Sequence, residues 1–122
     1  MKTEEILNTA VKELEDKKAI DLKVIKIDNI TDLADYFVIA TATSSTHVRA
    51  LSDYVETKLS ENGVEPHHKE TKAHDWMLLD YNDVVIHIFD RKAREFYDLE
   101  RIWADGTEID VETILAKGQE DK

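Results

Sequence analysis

Cysteine is absent from this chain, proline occurs once and glycine three times, and each scarcity narrows what the protein can be. Without cysteine there are no disulfides and no thiolate metal sites, a composition that suits a reducing compartment. So little glycine and proline leaves no linker, low-complexity tract or glycine-rich phosphate loop, and no internal repeat is visible. No apolar run approaches the roughly 20 residues needed to cross a bilayer. The start of the chain, with Glu4 and Glu5, lacks the basic head of a signal peptide, so the expected location is the cytoplasm. Basic residues are also short: 16 Lys and Arg stand against 27 Asp and Glu, a net charge of −11. That balance repels a phosphate backbone and makes direct nucleic-acid binding unfavourable. A basic protein partner fits it better, because complementary charge speeds encounter and selects partners.

The 122 residues suit one domain, 1–122, with a single core. Thr3 is placed to cap a first helix with Glu4 and Glu5 in its opening turn. Leu7, Ala10, Val11 and Leu14 share one face of that helix, and Lys17 and Lys18 suit its end. Alternation predicts a strand over 22–27. The continuous apolar run 36–40, rich in aromatic and β-branched residues, predicts a central strand buried on both faces. Ser44 or Ser45 caps the next helix, where Val48, Leu51, Val55 and Leu59 recur at helical spacing and Asn62-Gly63 supplies the stop. A weaker strand over 66–71 follows. After Phe89, Asp90 caps a last helix bearing Ala93, Phe96, Leu99 and Trp103, closed by Asp105-Gly106. Another helical turn is expected from Thr107 through Val111, Ile114 and Leu115, with fraying from Gly118 onward. This order of elements predicts an α/β fold, a mixed sheet flanked by helices.

The segment 76–89 carries the most information. Asn82-Asp83 between two apolar runs predicts a two-residue type I′ hairpin turn, and the turn fixes the register. Tyr81 then faces Val84, Asp80 faces Val85, Leu79 faces Ile86, Leu78 faces His87, Met77 faces Ile88 and Trp76 faces Phe89. One face therefore carries Met77, Leu79, Tyr81, Val84, Ile86 and Ile88, which is core composition. The other carries Trp76, Leu78, Asp80, Val85, His87 and Phe89. Large aromatics beside a carboxylate and an imidazole suit a recognition patch, covered either by a partner or by a loop of the same chain.

Catalytic and metal constellations are weak by comparison. His67 and His68 are consecutive and point to opposite faces of a strand, and neither they nor His47, His74 and His87 show a metal-ligand spacing. Ser44 and Ser45 precede a helix, where capping is their ordinary work, and no Gly-x-Ser-x-Gly elbow surrounds them. Asp28, Asp32 and Asp35 fall in a turn, and Asp80 and Asp83 flank another, without the paired-carboxylate geometry of phosphoryl transfer. Arg91, Lys92, Arg94 and Arg101 read as a solvated helix face, with Arg94 and Glu100 able to pair across neighbouring turns or with another subunit. Phe96, Tyr97 and Trp103 are expected to pack the last helix onto the sheet. No catalytic residue, metal ligand or cofactor is assigned.

Five segments in order, 35–41 with Thr43, Ser44 and 47–51, then 75–81, 83–89 and 94–103, closely resemble the ribosomal silencing factor family, also called RsfS or Iojap-like proteins. The match spans about 3–106, leaving a C-terminal tail from about 107. The resemblance implies a nucleotidyltransferase-like fold lacking the catalytic Gly-Ser and Asp-x-Asp residues. It also implies a non-enzymatic protein that binds the fourteenth large-subunit ribosomal protein, blocks joining of the ribosomal subunits and lowers translation when nutrients are scarce. A homodimer is implied for the free protein. On this reading Trp76 and Leu78 are apolar anchors, Glu70 and Asp80 meet Lys or Arg, and Tyr81 and His87 orient the complex by hydrogen bonds. The chain departs from the family pattern at Asn82, where glycine is common, and at Thr71, which follows Glu70 where the family commonly has a Glu-Gly pair. The alternatives from other classes are a nucleotidyltransferase-like enzyme working through Ser44, Ser45 and Asp residues, and an acidic dimerisation adaptor for another basic protein.

Overall fold

The computed structural model describes the backbone of residues 1–120 and side chains through residue 116. A sheet of order β3-β4-β5-β2-β1-β6 forms its middle layer. Its strands are β1 (Ile20–Lys26), β2 (Tyr36–Ala42), β3 (His68–Ala73), β4 (Trp76–Asp80), β5 (Val84–Asp90) and β6 (Thr107–Ile109). The helices are α1 (Thr3–Asp16), α2 (Ser45–Glu61), α3 (Arg91–Tyr97), α4 (Leu99–Ile102) and α5 (Val111–Glu120). Only β2 and β5 run parallel, so the sheet is mixed, as the element order predicts. β2 lies inside the sheet, and six of its seven residues are buried, the fate of a strand covered on both faces.

One face packs against the long helices. Leu7, Ala10, Val11 and Leu14 of α1 and Val48, Leu51, Val55 and Leu59 of α2 meet Met77, Leu79, Tyr81, Val84, Ile86 and Ile88, with Ile114 of α5 joining them. These are the helix stripes and the strand face that the spacing predicts. Ser44 caps α2 by accepting from the His47 backbone N–H at 3.1 Å, and Gly63 just beyond the helix has φ +78°. Asp90 caps α3 by accepting from Ala93 N–H at 2.8 Å.

Several boundaries differ from expectation, each for a local reason. Lys2, not Thr3, is the N-cap of α1. Thr3 is already helical, and its hydroxyl instead donates to Asp83 Oδ2 at 2.9 Å, tying α1 to the β4–β5 turn. β1 starts two residues early and carries a bulge between Ile20 and Lys23, where Asp21 takes φ +49°. β3 sits two residues later than expected. The β4–β5 turn is not type I′, which needs positive φ at both central residues: only Asn82 is left-handed, at φ +75°. Asp83 N–H returns to Tyr81 C=O at 3.0 Å, while Asp80 Oδ1 accepts from Asn82 N–H at 2.7 Å. The register nevertheless follows the predicted pairing from Asp80 opposite Val85 to Trp76 opposite Phe89.

The expected single helix after Asp90 is two. Asp98 adopts φ +48°, ends α3 and starts α4, a left-handed conformation that Asp reaches more easily than most residues. Within α3 Tyr97 turns to the sheet beside Ala93 and leaves Phe96 80% exposed, and beyond the break Leu99 and Trp103 pack on the same cluster. The residues expected to open a helix at Thr107 form β6 on the edge beside β1, and α5 starts only at Val111. α5 continues through Glu120, and Asp121 and Lys122, part of the segment expected to fray, lie outside the described residues.

Candidate docking face

α3 and α4 cover the second face of the sheet only in part. Their Ala93, Tyr97, Leu99 and Trp103 pack on Ile25, Phe37, Ile39, Val85 and Phe89, and Trp76 and Leu78 lie at the margin of this cluster, half-buried. On this face α3 packs mainly over β5 and β2 and reaches the outer strand β4 through Tyr97 against Trp76. Strand pairing then sets the residues in rows. Glu70, Leu78 and His87 sit side by side across β3, β4 and β5. Asp80 lies between His68 and Val85, and Trp76 between Ala73 and Phe89.

Trp76 is seated by aromatic neighbours. Its ring lies 4.5 Å from Tyr97 and 5.0 Å from Phe89, centroid to centroid, with Lys72 Nζ 5.7 Å above it. The indole N–H donates to His87 Nδ1 at 3.2 Å. His87 is 5% exposed, lies edge-on to Phe37 at 5.1 Å, and its Nε2 is buried without a partner. Burial, aided by the positive charge of Lys72, lowers its pKa to about 4, so the ring is neutral at neutral pH. Accepting at Nδ1 places the single proton on Nε2.

The carboxylates differ in freedom. Glu70 stands on the exposed side of β3, 3.1 Å from Lys72 Nζ and 3.4 Å from His68 Nε2, and these neighbours, Lys72 first, hold its pKa below the usual range. Asp80 is half-buried with one oxygen engaged in the turn. Of the six residues singled out from the sequence, Glu70, Trp76, Leu78 and Asp80 thus come together at one partly open surface. His87 lies beneath it. Tyr81 is on the opposite face, 5% exposed, its hydroxyl buried without a partner and its pKa raised by burial. Sequence reasoning missed Lys72, whose position over Trp76 depends on the β3–β4 bulge at residues 71–73. The expectation that Phe96, Tyr97 and Trp103 pack on the sheet holds for Tyr97 and Trp103 and fails for Phe96, and the part of Tyr97 in seating Trp76 was not foreseen.

The remaining candidates are occupied by structure. His47 accepts from Thr43 N–H at Nδ1, 2.9 Å, and its Nε2 meets Lys17 C=O at 3.0 Å. Arg94 is the anchor of the α3–α4 cover: Nε donates to Glu100 at 2.9 Å, and Nη1 to Thr41 Oγ1 at 2.8 Å and to the Asp21 carbonyl. No group of acidic and histidine side chains suited to a metal occurs among the described residues. No helix among them is long and apolar enough to cross a membrane.

A family model described as "Ribosomal silencing factor during starvation" matches residues 1–122. The chain belongs to the ribosomal silencing factor family. The Ribosomal silencing factor RsfS of Bacillus subtilis is 32% identical over 115 residues, covering 92% of this chain and 96% of that protein. The protein of the same name from Halalkalibacterium halodurans is 31% identical, covering 95% of this chain and 100% of its own length. A crystal structure of a Chromobacterium violaceum protein superposes with a TM-score of 0.81 at 34% identity, covering 85% of this chain and 88% of that one. The family assignment makes the chain a ribosome-related regulator of translation.

Proposed function

We propose that this chain binds the fourteenth protein of the large ribosomal subunit and thereby blocks joining of the two subunits, repressing translation when nutrients are limiting. The observation that carries the reading is the open half of the second sheet face. Trp76 and Leu78 offer half-buried apolar surface, Glu70 and Asp80 rim it with carboxylates, and the chain as a whole carries −11. An aromatic anchor held rigid before binding loses little conformational freedom on docking, and a carboxylate rim favours a Lys- and Arg-bearing partner.

In this reading the chain works as a single cytoplasmic domain by occlusion, with no catalytic step and no cofactor, on a nucleotidyltransferase-like frame. Trp76, Leu78, Glu70 and Asp80 touch the ribosomal protein. His87 acts from below by holding the Trp76 indole, and Tyr81 supports the turn that carries Asp80. The free protein self-associates as a homodimer.

The test is co-sedimentation with purified large subunits, followed by addition of small subunits and measurement of 70S formation by light scattering. The native chain is expected to pellet with large subunits and suppress joining. A folded Trp76→Ala variant that pellets equally well would overturn the assignment of this face.

A further inference from the structure

Trp76, Leu78, Glu70 and Asp80 make a small surface of half-buried side chains, whereas a specific interface takes about 20–30 residues a side. Contact with a partner must therefore spread onto a neighbouring element, and two are available. Beside Trp76 lies α3, continued by α4, which exposes Phe96 and Ile102. At the Asp80 end lies the loop 27–35 between β1 and β2, which exposes Leu33 at 71% and Ile30 at 40%. We propose that the partner extends over the loop, with Leu33 as a third apolar anchor and Asp32 as a further carboxylate contact. The inference rests on the ribosomal reading above and enlarges its docking surface.

The fold joins this loop to the docking face. Asp80, Val85 and Phe37 stand side by side across β4, β5 and β2. Ala34 is buried in the same cluster as Val85 and Phe37, so the loop leaves the core on the Trp76 side of the sheet, with Ala34 inward and Leu33 outward. The backbone N–H groups of Asp35 and Tyr36 both donate to the Asp83 carbonyl, at 2.8 and 3.0 Å, which ties the loop to the turn that carries Asp80. Within the loop, Ile27 N–H donates to Asp35 C=O at 2.8 Å, Thr31 N–H to Ile27 C=O at 3.1 Å and Leu33 N–H to Thr31 Oγ1 at 3.2 Å. A leucine on backbone already fixed in this way needs little further ordering when a partner buries it.

Charge chooses between the two directions. Residues 28–35 include Asp28, Asp32 and Asp35 and no basic residue. Asp28 is engaged by Lys26 at 3.8 Å, while Asp32 is exposed and takes no ion pair among the described residues. α3 and α4 instead carry Arg91, Lys92, Arg94 and Arg101 against Glu95, Asp98 and Glu100. A partner rich in Lys and Arg is drawn toward the first surface and gains nothing from the second. The exposed Phe96 and Ile102 therefore lie outside the contact.

Co-sedimentation titration of the full chain with purified large subunits tests this, circular dichroism confirming that each variant is folded. Leu33→Ser is expected to weaken binding by about tenfold or more, the loss of one buried leucine. Leu33→Met keeps the apolar surface and should stay within about twofold of the native chain. Asp32→Lys should weaken binding by a factor that shrinks as salt is raised. Phe96→Ser should bind as the native chain does. Undiminished binding by Leu33→Ser, or a loss with Phe96→Ser as large as that with Leu33→Ser, overturns the loop contact while Trp76→Ala still reports on the strand surface. A loss with Leu33→Ser but none with Trp76→Ala overturns the shared surface, and a native chain that does not pellet with large subunits overturns the ribosomal reading together with it.

Discussion

The Trp76 indole N–H and the His87 Nδ1 meet at 3.2 Å diagonally across β4 and β5, joining the half-open rim of the second sheet face to its sealed interior. Because the imidazole must accept there, and because its other nitrogen is buried, a second proton on His87 would charge a group that has no water to solvate it. The fold therefore binds fewer protons at this site than the unfolded chain does between the ordinary histidine pKa of about 6.5 and the lowered value of about 4. His87 leaves stability intact above about pH 6.5 and removes about 3 kcal/mol as pH falls toward 4. His87→Gln keeps an acceptor for the indole but cannot titrate. Denaturant midpoints measured across this range should show the native chain losing its advantage over the variant as pH drops. A constant gap would mean that the ring is not held neutral by burial.

Trp76 is the largest apolar side chain at the open margin, so its truncation should be the most damaging single change for docking. Trp76→Ala is expected to cost on the order of 2 kcal/mol or more of large-subunit binding. Trp76→Phe keeps the stacking on Tyr97 and Phe89 but loses the bond to His87, and should fall between the two. Affinities from co-sedimentation titration, with thermal melts as the control for folding, give the order.

Much of this face was legible in the sequence, and the reason is the period of a strand. Alternation from Trp76 to Phe89 assigned each side chain to a face, and the tight turn at Asn82 locked the pairing even though its backbone type was misjudged, because either turn joins Tyr81 to Val84. What alternation cannot express is cover. His87 and Phe89 share a face with Trp76 and Leu78, yet α3 and α4 bury the first pair and leave the second half-open. Where those helices sit depends on the left-handed Asp98. Ala93, Phe96, Leu99 and Trp103 fit one unbroken helix as well as they fit two. β6 escaped notice because three residues are too few to show alternation.

Arg94 holds that cover in place, and lysine should not replace it. A guanidinium reaches Glu100, Thr41 and the Asp21 carbonyl in one planar fork, whereas an ammonium on a shorter stem cannot span them. The hydrogen bond from Arg94 is also the main cause of the lowered Glu100 pKa, offset in part by burial. Arg94→Lys is expected to destabilise the fold by about 1–3 kcal/mol. It should also return the Glu100 titration toward the ordinary carboxylate range, read by NMR of the side-chain carboxyl. An unmoved Glu100 would show that Lys23 alone sustains the shift.

Gly106 is fixed by space. A Cβ built there would lie 2.5 Å from Ile25 Cγ2 and 2.9 Å from the Lys26 carbonyl oxygen, and the second of these is backbone that cannot swing aside. Gly106→Ala should therefore destabilise by about 1–3 kcal/mol, as overpacking does. At Gly63 the surroundings are open and only φ +78° resists a side chain, so Gly63→Ala should cost about 1 kcal/mol. Chemical denaturation of the two variants side by side distinguishes steric from conformational cost.

Tyr81 gives the sharpest separation of fold from docking. Its hydroxyl is buried on the α2 side of the sheet with no partner, and burial raises its pKa, so it stays protonated throughout the working range. An unpaired buried hydroxyl carries a desolvation cost that its removal relieves. Tyr81→Phe should leave stability unchanged or raise it by up to about 1 kcal/mol. Large-subunit affinity should stay within twofold, because Tyr81 and Trp76 project from opposite faces of the β4–β5 hairpin. A clear loss of binding with stability preserved would mean that the hydroxyl reaches the partner, which requires the β4–β5 turn to open on docking. Hydrogen exchange at Asn82 and Asp83, with and without large subunits, would then detect that opening directly.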